Sequence, residues 1–299
     1  MDKRLTQYLA DPHDGGDLEL HIFEGDDQQV RQGVLRNPVN GKWYPIREAI
    51  ASLFIDALRE DDPQWIERFR PQLEAAQCAL PSSEQTSGDI SRIASERKAR
   101  DEQAEDYDRM LSIKMLDIFE RPTYRRVFAG TPSPLMLEAG CGTGRFTGLF
   151  SELSQELIAT DMSRDSIKRN IARWKGKTAN TVHYLHADLT HLPLKSNICD
   201  SVAHVGVYEH IPSRDLREQF IEHAHRVLKT DGKLLLSAYR YDGLTKLFEK
   251  EGEHDGGIPF FRFTEAELRS EVEPRFAIEQ FKKNLGVYMS MVVGKPRVA

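Results

Sequence analysis

Apolar, strand-like segments alternate with amphipathic, helix-like segments from Pro134 to the end of the chain. Seven segments have the length and apolar content of strands: PLMLEAG, ELIATDMS, TVHYLHAD, CDSVAHVGV, GKLLLSAY, FAIEQFKK and YMSMVVGKP. This alternation predicts an α/β fold in which a mostly parallel sheet carries helices on both faces. The last two segments lie close together in sequence, which is typical of a hairpin at one edge of the sheet.

The first part of the chain follows a different pattern. The segments DLELHIFEG and GKWYPI predict short strands, whereas IREAIASLFIDALRE and DPQWIERFRPQL have apolar residues at helical spacing. A polar stretch, PSSEQTSGD, separates this part from the rest. We therefore expect a small α+β module at residues 1–80, a linker at residues 81–89 and a larger domain at residues 90–299.

Composition narrows the class of protein. Of the 299 residues, 39% are hydrophobic, which is enough to bury a core. The 47 acidic and 41 basic side chains give a net charge of -6, without the basic excess that binding to nucleic-acid phosphates requires. The three cysteines are not spaced as a disulfide framework, and no apolar run is long enough to cross a membrane. We expect a cytoplasmic protein that does not bind a membrane. Its net charge disfavours nucleic acid as a partner, although a local basic patch stays an open alternative.

A glycine-rich loop follows the first strand of the larger domain, in the segment LMLEAGCGTGRFT. Gly140, Gly142 and Gly144 allow a sharp turn and the close approach of a ligand to the backbone, although strand-to-helix turns also use glycine for structural reasons. The next strand ends at Asp161 and the third at Asp188, where carboxylates are suited to a ribose and an adenine edge. Each aspartate alone is equally suited to a helix N-cap or a turn.

The residue before the loop separates two kinds of nucleoside ligand. A dinucleotide site is typically Gly-x-Gly-x-x-Gly, with the pyrophosphate at the helix N-terminus, whereas this loop is Gly-x-Gly-x-Gly. Glu138 would repel a pyrophosphate but can receive the ammonium group of a methionine moiety, directly or through water. The pattern favours S-adenosylmethionine (SAM).

Residues 134–239 resemble the class I SAM-dependent methyltransferases, on the segments LEAGCGTGR, IATDMS, HADLTHLPL, CDSVAHVGVYEHI and HRVLKTDGKLLLS. The resemblance implies a Rossmann-like, seven-stranded, mostly parallel sheet with SAM across the ends of its first four strands and S-adenosylhomocysteine as product. The SAM contacts that it implies are Glu138, Gly140, Cys141, Gly142, Thr143, Gly144, Asp161, Met162, Asp188 and Leu189.

A long amphipathic helix is predicted from Ser91 to about Phe119, and we expect residues 90–130 to cover the SAM site. This helix resembles a segment of related enzymes in which an arginine meets the methionine carboxylate and a tyrosine caps the pocket. The matching residues are Arg100 and Tyr107. A solvated helix face with i,i+4 ion pairs is an equally good interpretation.

The fourth strand ends in HVGVYEHIP, at the end of the sheet that would face the methyl group and its acceptor. Tyr208, Glu209 and His210 are therefore the candidate catalytic residues. Imidazole has an ordinary pKa near working pH, so His210 is a candidate general base, with packing or capping as the alternative. Some relatives hold a metal with a Glu where this chain has Gly206, and we predict no catalytic metal.

The connection at residues 240–270 is long and rich in aromatic and basic side chains, and we expect it to form a lid over the acceptor. Some of these side chains are equally suited to packing within the lid. The candidate substrate contacts are Tyr239, Arg240, Tyr241, His254, Phe260, Phe261 and Arg262.

The leading functional hypothesis is transfer of a methyl group from SAM to an oxygen or nitrogen of a small molecule by in-line displacement. One alternative is an RNA methyltransferase similar to the rRNA guanine methyltransferases that carry a zinc ribbon. Another is a SAM-binding protein with non-methylating chemistry. A homodimer stays an open alternative to a monomer.

The segments PHDGGDLEL and GVLRNPVNGKWYPIREAIASLF resemble the zinc-ribbon modules of methyltransferase activators. The four ligand cysteines of that family are replaced here by Asp11, Asp14, Asn37 and Asn40. Structural zinc needs nitrogen or sulfur ligands, so we predict a degenerate, zinc-ribbon-like module without metal. Asp and Asn oxygens can accept the backbone N–H bonds of the two turns as Asx-turns.

Overall fold

One large mixed sheet dominates the computed structural model, which describes residues 1–26, 28–79, 97–98, 111–130, 132–254, 257–285 and 288–298. Its strands, in chain order, are β1 (Glu19–Gly25), β2 (Val30–Arg36), β3 (Trp43–Arg47), β4 (Ile50–Leu53), β5 (Ser133–Ala139), β6 (Ser154–Asp161), β7 (Thr181–Ala187), β8 (Cys199–Val205), β9 (Leu228–Tyr239), β12 (Phe276–Leu285) and β13 (Met289–Pro296). A separate hairpin contains β10 (Glu251–His254) and β11 (Ile258–Phe261).

Helices flank the sheet along the described parts of the chain. They are α1 (Pro63–Arg68), α2 (Arg70–Ala75), α3 (Leu111–Val127), α4 (Thr147–Glu152), α5 (Arg164–Trp174), α6 (Arg214–Val227) and α7 (Glu265–Val272). Shorter 3-10 helices lie at Lys3–Gln7, Asp56–Leu58, Leu189–His191, Tyr208–His210 and Gly243–Leu247. Among the described helices, the length and apolar character needed to cross a membrane were not found.

The strand order is β1-β2-β3-β4-β7-β6-β5-β8-β9-β13-β12. Strands β4 and β7, β7 and β6, β6 and β5, β5 and β8, and β8 and β9 pair in parallel, whereas β13 is antiparallel to both β9 and β12. All seven segments predicted from Pro134 onward form strands, and the hairpin at the edge is confirmed. The carboxyl ends of β5, β6, β7 and β8 therefore meet at one edge of the sheet.

A seven-stranded sheet is not confirmed, because the described residues form one sheet of eleven strands, seven of which are the strands predicted from Pro134 onward. The difference arises because β1–β4 extend the sheet through the parallel pair β4–β7, in which Ser52 lies opposite His186. The N-terminal strands thus continue the sheet of the larger domain. The linker at residues 81–89 lies outside the described residues, and the division into domains stays a prediction.

The helix predicted over IREAIASLFIDALRE is also wrong. Residues 46–47 belong to β3, and Ile50–Leu53 form β4, with every residue of β4 buried. A strand buried on both faces has a continuous apolar run, which periodicity alone cannot separate from a buried helix. Glu48 and Ala49 connect β3 to β4 with φ of 52° and 64°, as a two-residue type I′ turn requires.

The helical interpretation of DPQWIERFRPQL is confirmed by α1 and α2. Asp62 caps α1 by accepting a hydrogen bond from the Trp65 backbone N–H, and a proline occupies the first turn. Trp65, Phe69 and Leu73 are buried together against Val34 and Trp43, so these short helices cover one face of the N-terminal strands.

Asp11, Asp14, Asn37 and Asn40 form one hydrogen-bonded cluster, which we call the Asp–Asn cluster. The amide nitrogen of Asn37 donates to Asp11 Oδ2 at 2.8 Å, and that of Asn40 donates to Asp14 Oδ2 at 2.9 Å and to Asp11 Oδ2 at 3.0 Å. Tyr44 donates its hydroxyl hydrogen to Asp11 Oδ1 at 2.8 Å. The cluster therefore joins the two N-terminal loops directly.

The outer oxygens of the cluster hold the two turns. Asp11 accepts from the His13 N–H and Asp14 from the Gly16 N–H, each at 2.8 Å. The amide oxygen of Asn37 accepts from the Val39 N–H at 2.9 Å, and that of Asn40 from the Lys42 N–H at 2.8 Å. The expected Asx-turns are present, while the likeness to a zinc ribbon stays an interpretation of the sequence.

We expect Asp11→Ala to destabilise the folded chain by roughly 2 to 4 kcal/mol, because it leaves several buried donors without an acceptor. Urea unfolding followed by circular dichroism measures this difference. The control is Asp17→Ala, whose side chain is 85% exposed and pairs only with Lys195 at the surface, and which should change stability by about 0.5 kcal/mol or less. Equal stability of the two variants would show that the cluster does not stabilise the fold.

Candidate functional site

A large cavity opens at the carboxyl ends of β5, β6, β7 and β8, with a volume of about 1210 Å³ when its opening to solvent is included. Its walls are formed by the glycine loop, the strand ends and the residues on both sides of the 3-10 helix after β8. Most of the predicted SAM contacts line it, namely Glu138, Gly140, Cys141, Gly142, Thr143, Asp161, Met162, Asp188 and Leu189. Arg100 and Tyr107, predicted to cover the site, lie outside the described residues.

The glycines of the loop have backbone conformations that other residues rarely adopt. Gly140 has a φ of 83°, and a Cβ on it would lie 2.6 Å from Cγ2 of Val207. Gly144 has a φ of 89°, and a Cβ there would lie 2.4 Å from Oδ1 of Asn170. Gly144 does not line the cavity, so its absent side chain serves the close approach of α5 rather than that of a ligand.

Helix α5 packs against the glycine loop, and its residues were not among the predicted site residues. Asn170 donates from its amide nitrogen to Thr147 Oγ1 at 2.8 Å, and Trp174 donates from Nε1 to the Gly144 carbonyl at 2.7 Å. These residues are four apart and therefore lie on the same face of the helix. That spacing of polar and aromatic side chains is the signal that could have found them.

Glu138 is fully buried at the end of β5, and its carboxylate accepts a hydrogen bond from Thr147 Oγ1 at 2.7 Å. Burial raises the pKa of Glu138 to about 8, the hydrogen bond from Thr147 lowers it, and the nearby charge of Asp161 raises it. The ionised form is therefore disfavoured in the ligand-free chain. A cationic group in the cavity would favour it.

Asp161 and Asp188 hold backbone groups at the ends of β6 and β7. Asp161 accepts from the Gly142 N–H and the Ser163 N–H, each at 2.8 Å. Asp188 accepts from the Thr190 N–H at 3.0 Å and caps the following 3-10 helix. The sequence left two alternatives open for Asp188, a helix cap and a contact in the ligand site. In the structure Asp188 caps the 3-10 helix and also lines the cavity.

The structure places the Tyr208 side chain in the core rather than at the cavity. Tyr208 is fully buried and donates to Glu271 Oε2 at 2.6 Å. Arg217 binds the same carboxylate, with Nε donating to Oε2 and Nη2 to Oε1, at 2.9 Å each. Burial raises the pKa of Tyr208 well above its usual range. This arrangement ties the 3-10 helix after β8 to α6 and α7.

His210 and Glu209 are buried between the cavity wall and the β10–β11 hairpin, and neither lines the cavity. His210 Nδ1 lies 2.8 Å from the Pro259 carbonyl oxygen, which can only accept, so Nδ1 carries the hydrogen. The imidazole packs beside the rings of Tyr239 and His254, at centroid distances of 5.7 and 5.5 Å.

The candidate substrate residues gather at the hairpin, away from the described cavity wall. The Arg262 guanidinium lies 4.9 Å from the ring centre of Phe260 and 5.2 Å from that of Tyr239, and His254 packs beside Phe260. Phe261 packs against Phe263 of the core. Two further candidate residues lie beside this group. Arg240 forms an ion pair with Asp242, and the Lys250 ammonium group lies over the ring of Tyr241.

The apolar wall of the cavity was not predicted. It comes from residues that lie between or beside the predicted site residues, and includes Phe146, Val205, Val207, Ile211, Pro212 and Leu216. Arg145 also lines the cavity and pairs with Asp117 at 2.8 Å and with Glu120 of α3. In the part of the chain that the structure describes, no group of three or more His, Cys, Asp or Glu side chains is arranged to hold a metal ion.

Comparison with known proteins agrees with this geometry. Residues 137–236 match the sequence family described as a methyltransferase domain. The tRNA (carboxymethyluridine(34)-5-O)-methyltransferase of Arabidopsis thaliana is 31% identical over 105 residues, which are 35% of this chain and 24% of that protein. The malonyl-[acyl-carrier protein] O-methyltransferase of Buchnera aphidicola is 37% identical over 65 residues, which are 22% of this chain and 24% of that protein. The chain thus spans about a quarter of the length of these relatives.

The fold is similar to that of a solved Burkholderia thailandensis enzyme, 1,6-didemethyltoxoflavin-N1-methyltransferase, whose structure contains 1,6-didemethyltoxoflavin and S-adenosylhomocysteine. The TM-score is 0.58 at 17% identity, covering 73% of this chain and 95% of that one.

A pH dependence of stability is expected from Glu138. Its pKa in the folded chain lies above the ordinary value of 4.5, so between about pH 4.5 and pH 8 the folded chain keeps a proton that the unfolded chain has lost. The contribution of this group to stability is complete below the unfolded pKa and falls as pH rises, by up to roughly 1.4 kcal/mol per pH unit. Urea unfolding of wild type and Glu138→Gln at several pH values in this window measures the difference. Identical slopes for the two proteins would contradict the raised pKa.

The prediction of the enzyme class is confirmed at the level of the domain, since residues 137–236 match a methyltransferase domain family.

Proposed function

We propose that this protein transfers a methyl group from SAM to an oxygen or nitrogen of a small-molecule acceptor and releases S-adenosylhomocysteine. The observation that carries the proposal is the set of three carboxylates, Glu138, Asp161 and Asp188, on the wall of one cavity at the ends of three adjacent parallel strands. Ligands of α/β sheets bind at the carboxyl ends of the strands.

Each part of the cavity has a group suited to one part of SAM. Asp161 would bind the ribose hydroxyls, and Asp188 with the Leu189 backbone would bind the adenine edge. Glu138, directly or through water, would receive the ammonium group. The positive charge of the ligand near Glu138 would favour the carboxylate over the carboxylic acid, which offsets the cost of its burial.

The proposed reaction asks the chain mainly to align two reactants and to exclude water. Bound SAM supplies an activated methyl group. Val205, Val207 and Ile211 form an apolar wall beside the glycine loop. Alignment of this kind can lower a barrier by about 7 to 11 kcal/mol.

A base is needed only if the acceptor has to lose a proton, and His210 stays the candidate for that role. Because its Nδ1 hydrogen is used on the Pro259 carbonyl, the neutral ring can accept a proton at Nε2. His210 does not line the described cavity, so a catalytic role would require the acceptor to reach it beneath the hairpin.

We expect Asp161→Ala to weaken SAM binding by about tenfold to a hundredfold, through loss of a charged hydrogen-bond acceptor and of the support that it gives to the Gly142 N–H. Calorimetric titration of SAM into the full chain measures the affinity. Asp215→Ala, an exposed aspartate at the start of α6, is the matched control and should bind as wild type. Failure of folded wild-type protein to bind SAM would refute the proposed function.

An RNA acceptor is the second candidate, because the Arabidopsis relative is named as a tRNA methyltransferase. The net charge of -6 favours a small molecule instead. We expect methyl transfer from labelled SAM into a pool of small metabolites and not into total tRNA, with the acceptor found by mass spectrometry. Label in tRNA alone would assign the second function.

A further inference from the structure

A second cavity lies where the N-terminal strands meet the methyltransferase part of the sheet, and we call it the seam cavity. Its volume is about 300 Å³ with its opening included, and Arg47, Arg59 and Arg97 line it together with one carboxylate, that of Glu60. Ser52 of β4 and His186 of β7, which lie opposite each other in the parallel pair, form its inner wall. Three guanidinium groups therefore line the seam cavity, and each also pairs with a carboxylate, that of Asp62, Asp61 or Glu60.

Arg59 is held rigidly, but one end of its guanidinium has no partner. Nε donates to Asp61 at 2.7 Å and Nη1 to the Trp43 carbonyl at 2.7 Å, and the guanidinium lies 3.9 Å from the centre of the Trp43 ring. Nη2 is buried and makes no hydrogen bond to any residue that the structure describes. The contacts of Nε and Nη1 therefore hold the Arg59 guanidinium in an orientation that leaves the Nη2 donor without a hydrogen-bond acceptor among the described residues.

Arg47, which also lines the seam cavity, has a similar arrangement of contacts. Its Nη1 lies 3.4 Å from the Asp62 carboxylate at the surface, whereas its Nε is buried without a hydrogen-bond partner in the described chain. A guanidinium has five N–H donors in a fixed fork, so the contact of Nη1 with Asp62 leaves the Nε donor unused. Leaving a charged donor unpaired in the interior costs free energy, which a bound acceptor would recover.

The other polar groups of the seam cavity already have partners. Arg97 donates to the Leu58 carbonyl at 2.8 Å and pairs with Glu60. His186 donates from Nε2 to the Met162 carbonyl at 3.0 Å and accepts at Nδ1 from the Ser52 hydroxyl at 2.9 Å. Burial and the charges of Arg164, Arg97 and Arg47 hold the pKa of His186 well below its usual range, so it stays neutral and can share the wall with the arginines.

We propose that the seam cavity is a binding site for a small oxyanion, a phosphate or a carboxylate group, which accepts hydrogen bonds from Arg47 Nε and Arg59 Nη2. Arginine is suited to both groups because its planar fork matches two oxygens at once. The proposal does not depend on methyl transfer. The site is separate from the cavity at the glycine loop, with His186 between the seam cavity and Met162 of that other cavity.

Titration calorimetry of the full chain with inorganic phosphate, at constant ionic strength balanced with chloride, tests the proposal. We expect one saturable site with a dissociation constant below about 1 mM. A parallel titration with acetate distinguishes the two groups, since tighter binding of phosphate assigns a phosphoryl group and tighter binding of acetate a carboxylate. The proposal is overturned if neither ion gives saturable binding up to about 10 mM.

Variants locate the site. Arg47→Lys keeps the positive charge but removes the Nε donor, and Arg59→Gln removes the Nη2 donor, so each should weaken binding of the preferred ion by about tenfold. Arg70→Gln is the matched control, because Arg70 is 42% exposed, pairs with Glu67 at the surface and does not line the seam cavity. It should leave the affinity unchanged.

Equal weakening by Arg70→Gln would mean a general charge effect and would overturn the proposal, as would full affinity in Arg47→Lys. Circular dichroism checks that each variant is folded. Arg59 also packs on Trp43. If Arg59→Gln does not fold because this packing is lost, the ion affinity of Arg47→Lys alone tests the proposal.

Discussion

The hydrogen bond from the Gly142 N–H to the Asp161 carboxylate joins the ends of the two central strands β5 and β6, and the geometry of the cavity depends on it. The N–H groups of Gly140 and Cys141 also donate to the Thr160 carbonyl, at 2.8 and 2.9 Å. The glycine loop is therefore bound to the end of the neighbouring strand at three points. One side chain, Asp161, both shapes this loop and lines the space beside it.

Much of the fold could be predicted because its strands are buried between helices and read as distinct apolar runs. The N-terminal strands were harder. In β2, the sequence VRQGVLR places polar residues and a glycine at the centre, and it is a strand because β1 and β3 pair with it on both sides. In β4 both faces are buried, so the sequence lacks the alternation of polar and apolar residues that marks a half-buried strand. Tertiary contacts therefore determine its structure.

The candidate site shows the same division between local and tertiary information. Residues in the loop and at the strand ends could be found because position along a parallel strand determines which edge of the sheet they reach. Asn170 and Trp174 were missed because their contact with the loop exists only once α5 packs against it. Tyr208 lies at the expected strand end, but the 3-10 turn directs its side chain to Glu271, which position in the sequence does not reveal. Its catalytic role, like that of His210, stays a prediction.

The orientation of two amide groups has a consequence for the Asp–Asn cluster. The oxygens of Asn37 and Asn40 are used on backbone N–H groups outside the cluster, so their NH₂ groups face the carboxylates inside. The lone pairs of the two carboxylates that face the centre are thus occupied by amide hydrogens, which a cation placed there would have to displace. A cross-link of this kind does not vary with the supply of zinc, the presence of a chelator or the oxidation of thiols. The N-terminal strands, and the seam that they form with β7, would keep their shape under conditions in which a thiolate-bound metal would be lost.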